Sequence, residues 1–466
     1  MKRFLLILTA LLLASPVYAV ENLTMSGSLK NETSIRIQDW NGDLTKEKNI
    51  VELAGEYKIK GDELVLFGKV KYWYDFAYAL RDKLHIEGHY MKHIQRDDWL
   101  RDLYLDYNKG PWFLRMGKQQ VAWGQADGIT ILDRVNPVDL SEYWLPDMQD
   151  IRIPLWMANI NYSPKLNSNL QFLLIPDFEQ STSAPPGAPF CTYSYVRYNS
   201  WKKTNNAVSG GSVDENIYFP GKQFKNSTFG LQWSDRIGDL DYTLNYLNGY
   251  NYSAKNTTIL LSGYGAPGSK WKVDRAFKRY QMFGGSFNKS VANPGPLQGI
   301  TFRGDFALYK NDPTYIGDPV LGSAKKIERW NNVFWLIGAD RYIFTKYMLS
   351  AQYAQSILGH SKDKDPKLTA AQQYPLNPFT YGVMDQIENI FTIKLSTQYM
   401  NDRLKPEILW SFTDDNQGRI SPKVNYEIRS NLVLTLGVHY FYGNLYDSNG
   451  QYRDQSQFYT NLKYSF

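Results

Sequence analysis

Phe458, Thr460, Leu462, Tyr464 and Phe466 alternate with Gln457, Tyr459, Asn461, Lys463 and Ser465, a period of two that runs to the last residue. In an extended chain, side chains two residues apart share a face. One face of this segment suits hydrocarbon and the other suits water. The same pattern recurs throughout. Leu64, Leu66, Gly68, Val70, Tyr72 and Tyr74 form one row, Leu240 to Tyr246 a second, and Phe391, Ile393 and Leu395 a third. Ile408, Trp410 and Phe412 follow, then Leu432, Leu434, Leu436, Val438 and Tyr440. One such row also fits a half-buried strand of a soluble sandwich. Rows on nearly every segment require an all-β closed antiparallel transmembrane β-barrel, greasy outside and wet inside.

Composition agrees where it bears on this choice. Mean hydropathy is -0.46, as for a soluble protein. Yet 15% of residues are aromatic, with 35 Tyr and 13 Trp, as expected when half of each strand faces water and aromatic belts mark both interfaces. The formal charge of +6 is too small to argue for nucleic acid. The single Cys191 excludes an intrachain disulfide framework and a multi-cysteine metal site. Lys2 and Arg3, the apolar stretch from Phe4, and Val17-Tyr18-Ala19 read as a signal peptide over residues 1–19. The expected mature chain is then one barrel over residues 20–466. A terminal aromatic such as Phe466 resembles the signal by which the barrel assembly machinery recognises its substrates in the bacterial outer membrane.

Connections alternate short and long. Short turns fit near Lys60-Gly61-Asp62, Lys109-Gly110-Pro111, Asn401-Asp402-Arg403 and Arg429-Ser430-Asn431. Longer polar links fit residues 41–48, 79–97, 119–150, 176–223, 251–274, 311–328, 359–386 and 443–454. Counting between them predicts about eighteen strands, with about sixteen if Tyr90 or Trp201 is misread, and both chain ends on the short-turn side.

The most distinctive stretch contains Gly117-Lys118-Gln119-Gln120-Val121-Ala122-Trp123-Gly124, then Asp133-Arg134-Val135-Asn136-Pro137-Val138-Asp139, then Arg152-Ile153-Pro154. It resembles a family of uncharacterised, porin-like Gram-negative outer-membrane barrels described only as a domain of unknown function. That family's signature is similar to G-[RK]-Q-x-x-x-W-G, N-P-x-D and R-x-P, and alginate-export barrels are a more distant likeness. The resemblance implies an outer-membrane channel or transporter and no particular substrate.

Residues 119–150 are too long for a tight turn, yet they carry Trp123, Ile129, Ile131, Leu132, Val135, Leu140, Tyr143, Trp144 and Leu145. So apolar a loop is expected to fold into the lumen and narrow it. If Lys109-Gly110 is the turn, Arg115 lies opposite Tyr104 and diagonal to Asp102 and Asp106. The candidates for a constriction are therefore Asp102, Asp106, Arg115, Lys118, Gln119, Trp123, Asp133, Arg134, Asn136, Asp139 and Arg152. Two readings compete for the charged ones. They pin the loop by pairing with each other, or they form an eyelet that selects solutes.

His85, Glu87, His89 and His93 share one strand face, but side chains in line cannot converge on one ion, and a solvated face is the simpler reading. No G-x-S-x-G, H-E-x-x-H or phosphate loop is present, so an enzyme is not expected, nor any cofactor. The expected function is a channel passing small solutes by diffusion. One alternative is a sleeve around a periplasmic or extracellular protein partner, such as a multihaem cytochrome. Another is a transporter of apolar solutes past Trp123, Tyr143 and Trp144. Outer-membrane lipid and lipopolysaccharide are the expected surroundings.

Overall fold

The structure, a computed structural model, describes residues 21–38, 42–80, 99–185, 187–192, 212–253, 255–262, 270–318, 323–359, 374–375 and 385–466. Residues 1–19, where a signal peptide is expected, the His85 to His93 row, Tyr90 and Trp201 lie outside the described residues.

Eighteen strands form the wall among the described residues. In chain order they are β1 (Leu23–Arg36), β2 (Leu44–Asp62), β3 (Leu64–Asp75), β4 (Leu100–Lys109), β5 (Trp112–Gln119) and β6 (Leu155–Lys165). Then come β7 (Ser168–Ile175), β8 (Thr228–Ile237), β9 (Leu240–Tyr250), β10 (Arg279–Ser290), β11 (Ile300–Asp318) and β12 (Ser323–Ile343). The rest are β13 (Tyr347–Ile357), β14 (Ile387–Ser396), β15 (Leu404–Thr413), β16 (Gly418–Arg429), β17 (Leu432–Tyr442) and β18 (Gln457–Ser465). Each pairs antiparallel with the next, and β1 pairs with β18 from Ser28↔Ser465 to Arg36↔Gln457, closing the cylinder. Closure leaves no strand edge facing lipid. The seam is sealed at its end, where Gly27 and Phe466 exchange backbone hydrogen bonds of 2.8 and 3.0 Å.

The expected alternation is realised in side-chain exposure. Leu66, Leu105, Met116, Leu244, Phe306, Ile337, Ile393, Ile408, Leu436 and Leu462 are exposed on the outer face. Aromatic pairs cluster near the strand ends on this surface. Trp112 packs at a tilt against Tyr162, 4.6 Å between ring centres, and the Trp410 indole donates to the Tyr442 hydroxyl at 2.8 Å. Both suit a headgroup boundary, where a ring needs one greasy and one wet side.

Two expectations change. Much of the link expected at residues 311–328 is strand, because β11 and β12 continue pairing past a bulge to Asp318↔Ser323. Asn311, at φ 60, absorbs that bulge, so local polarity there marks an irregular ladder. The β4–β5 turn is centred on Gly110-Pro111, with Gly110 at φ +57 and Lys109 paired with Trp112. Arg115 therefore sits opposite Asp106, and not opposite Tyr104.

Candidate functional site

β5 stops after 8 residues, and the chain between it and β6 turns into the cylinder. Asn136 ties the two ends of this loop together. Its carbonyl oxygen accepts from the Val121 N–H at 2.9 Å, and its amide donates to the Gln119 and Ile153 carbonyls at 3.3 and 2.9 Å. Such a buried amide, satisfied on both sides, holds a loop base closed. The Arg152 guanidinium meets Asp133 at 2.6 Å a few residues away.

From that base the loop crosses the bore. On one side Trp123, Ile131, Leu132 and Val135 pack against Leu173, Ile175, Leu247, Met282, Ala307, Leu336 and Ala354 of the wall. Glycine makes room at two contacts. A Cβ on Gly230 would stand 2.9 Å from the Trp123 ring, and one on Gly284 would overlap Leu132. Polar contacts fix the register. The Gln125 and Ala126 N–H groups donate to the Asp305 carboxylate at 2.9 and 3.1 Å, and the Trp123 indole donates to Gln171 at 2.8 Å. Tyr309 donates to the Ile131 carbonyl and accepts from Arg134 at 3.1 Å.

On the opposite side the contacts are ionic. Glu142 is clamped by Lys46 at 2.5 Å and Lys48 at 2.8 Å, and Asp150 meets Lys71 at 2.7 Å. Burial pushes the Glu142 carboxyl up, but the two lysines more than reverse this, so it lies below the usual carboxylate range. Asp139 is also held low. Burial raises it, while the Ser141 and Thr182 hydroxyls, at 2.5 and 2.6 Å, favour its charged form. Tyr143, wedged against Phe441 and Tyr452, is pushed up to about 12 by burial.

Beside the ionic contacts the lumen keeps a cavity of about 590 Å³. Lys30, Lys46, Lys69, Lys71, Arg101, Arg115, Lys423 and Lys463 line it, against Glu32, Glu52, Asp102, Asp147 and Asp150. Lys46, Arg115 and Lys423 are paired besides with Glu142, Asp106 and Glu407, so the cavity is densely charged with both signs in balance.

Of the residues singled out from sequence, Asp102, Arg115 and Gln119 line this cavity. Asp106 holds Arg115 through two 2.7 Å hydrogen bonds, and the guanidinium lies 3.8 Å above the Tyr104 ring. Trp123, Asp133, Arg134, Asn136, Asp139 and Arg152 serve the loop's own packing and hydrogen bonding. Lys118 is a correction. It pairs with Leu103 and the exposed Trp156 on the outer face, and its ammonium donates to the Leu100 carbonyl at 2.9 Å. The basic residue at that position snorkels along the exterior. The Glu142 clamp and Arg101, which donates to the Gln149 carbonyl at 2.7 Å, escaped the sequence reading. The alternation of Lys46, Lys48, Ile50 and Glu52 on one face was the available signal.

The chain matches the family described as Protein of unknown function (DUF1302) over residues 1–466. No curated protein matches it. Among solved structures it resembles OccK11 (OpdR) of Pseudomonas aeruginosa, at 9% identity and TM-score 0.51, covering 96% of each chain. Acinetobacter baumannii OccAB4 aligns at 10% identity and TM-score 0.51, over 97% of this chain and 100% of its own. Pseudomonas aeruginosa OpdK, solved with vanillate, aligns at 8% identity and TM-score 0.52, over 96% and 99%. At these identities the likeness is one of fold, a porin-like barrel.

Proposed function

We propose that this chain, which belongs to the DUF1302 family, is an outer-membrane channel through which small polar solutes diffuse past the folded-in loop. The observation that carries this reading is the charge-lined cavity left open between the loop and the β1–β5 and β16–β18 wall. A lumen that only filled space would be packed with side chains, and a bare pipe would have no loop anchored on two opposing walls. Charged groups held in a narrow aqueous bore, where the dielectric is low, attract counter-charge and repel like charge. Catalysis is not needed for this task.

The sleeve reading is disfavoured by the loop itself. It reaches from Asp305 on one wall to Lys46 and Lys71 on the other, across the space a folded partner would need. Apolar selection by Trp123, Tyr143 and Trp144 is disfavoured because the Trp123 ring is buried in the packed core and the half-buried Tyr143 ring is engaged with Phe441 and Tyr452.

The test is conductance of the purified protein in planar bilayers. The full chain gives discrete channels. Removing residues 125–147 raises single-channel conductance several-fold. Unchanged conductance in a correctly inserted deletion variant overturns the constriction, and absence of channels overturns the function.

A further inference from the structure

Two cavities meet under the ionic half of the loop. The larger, of about 590 Å³, reaches toward the short-turn end, where Phe67 and Lys69 of β3 line it. A smaller one, of about 80 Å³, follows along β3 toward the long links, beside Trp73, Asp75 and Tyr78. Glu32, Ile50, Lys71, Arg101, Pro146 and Asp150 border both, so these six residues form the neck between them. On the other side of the loop, Ile131, Leu132 and Val135 are packed dry against the β7–β13 wall. Among the described residues, the open space past the loop therefore lies against β1 to β4.

The neck carries no excess of either charge. Lys71 and Arg101 stand against Glu32 and Asp150. Glu32 is held by wall residues alone, Lys30 at 2.6 Å and Lys46 at 3.1 Å. Lys71 is held from both sides, by Glu52 of the wall at 3.1 Å and by Asp150 of the loop at 2.7 Å. Arg101 steadies the same loop turn, donating to the Gln149 and Asp150 carbonyls at 2.7 and 3.2 Å. Glu142 borders the smaller cavity alone, past the neck. Lys71–Asp150 is thus the ion pair that spans the neck from wall to loop, a bar that a passing solute has to displace.

The charge on the solute decides what that displacement costs. A solute with one charge pairs with one end of the bar and strands the other end in a confined space. A neutral solute replaces neither partner. A solute carrying an ammonium and a carboxylate offers the first to Asp150 and the second to Lys71, so the bar parts with every charge still paired. We propose that the Lys71–Asp150 bar selects small zwitterions, of which amino acids are the simplest. This rests on the channel reading and names a solute class for it. The larger cavity has the size of an ordinary small-molecule site, within the range of about 300–1,000 Å³.

The experiment pits glycine against glycolamide, its neutral isomer, in swelling of liposomes that contain the purified full chain, with protein-free liposomes subtracted. Conductance and reversal potential in potassium chloride gradients across planar bilayers are measured alongside. The parent protein admits glycine several-fold faster than glycolamide. Lys71→Met leaves Asp150 without its bar partner and shifts the reversal potential toward potassium, and Asp150→Asn shifts it toward chloride. A pair that only braced the loop would not move the two variants in opposite directions. Lys71→Met with Asp150→Leu replaces the pair by apolar groups of similar volume, and the two isomers then enter at equal rates. Exchanging the pair, Lys71→Asp with Asp150→Lys, restores the glycine preference, because a zwitterion can present either end first. Equal entry of the isomers through a parent protein that conducts potassium chloride overturns the zwitterion reading and spares the channel. A glycine preference that survives in the apolar double variant, or shifts of one sign in both single variants, overturns the bar. A parent protein that conducts nothing overturns the channel reading itself.

Discussion

The inner wall from β7 to β13 and the inner wall of β1 to β3 belong to one cylinder, yet they receive the loop through different chemistry. The first offers Leu173, Leu247, Met282, Leu336 and Ala354, and the loop answers with Ile131, Leu132 and Val135. The second offers Lys46, Lys48 and Lys71, and the loop answers with Glu142 and Asp150. A dry contact excludes water and is indifferent to salt. An ionic contact beside an aqueous cavity is screened, and it depends on protonation. The loop is thus fixed firmly on one side and adjustably on the other, and the cavity lies on the adjustable side.

The sharpest way to break this contrast is Leu132→Ala. Leu132 is fully buried, and truncation leaves a void in the dry half, costing about 2–5 kcal/mol of loop docking. Proteolysis of the loop in detergent-solubilised protein should accelerate accordingly, equally at low and high salt. Next comes Asp305→Asn, which weakens the acceptor of two loop N–H groups and costs about 1–3 kcal/mol in the same assay. Trp123→Phe keeps most of the ring packing but orphans the Gln171 oxygen, for about 0.5–1.5 kcal/mol. Glu142→Gln has the smallest effect on docking, about 1 kcal/mol or less, because the pair is partly exposed and screened. Its signature is different. The folded-state carboxyl sits below its ordinary value, so the clamp is fully present above the usual glutamate pKa and is lost as pH falls through the lowered one. Channel noise in planar bilayers should therefore rise on acidification below about 4.3 and with added salt in the parent protein, and Glu142→Gln should show that noise already at neutral pH. If Leu132→Ala proves salt-sensitive, and the parent protein's noise responds neither to salt nor to Glu142→Gln, the contrast is wrong.

Much of this was legible in the sequence, for reasons particular residues make plain. The outer rows ending at Phe466 must match hydrocarbon, so Leu432 to Tyr440 could be read as a wall strand with no other knowledge. The loop announced itself because Trp123, Leu132 and Val135 are too apolar for a link in water. Which inner residues meet the loop was not legible. Leu173 and Leu247 look like any apolar residue in a strand, and only closure of the cylinder brings them to Trp123 and Leu132. Nor was the pairing of Asp106 with Arg115, since a shift of the turn to Gly110-Pro111 moves every partner along the hairpin. Lys118 misled for a simpler reason. A lone cation in an alternating row suggests the lumen, whereas parity with Met116 places Lys118 outside.

The wall on which the loop rests also has a place in time. Residues 120–154 leave the ribosome before β7 to β13, the strands that supply Leu173, Met282, Asp305 and Leu336. The loop cannot find its seat until far later sequence has been made and curled into place, so its contacts span long stretches of chain and form slowly. Its seat exists only once those strands stand side by side, so the wall can be built without the loop but the loop cannot be placed without the wall.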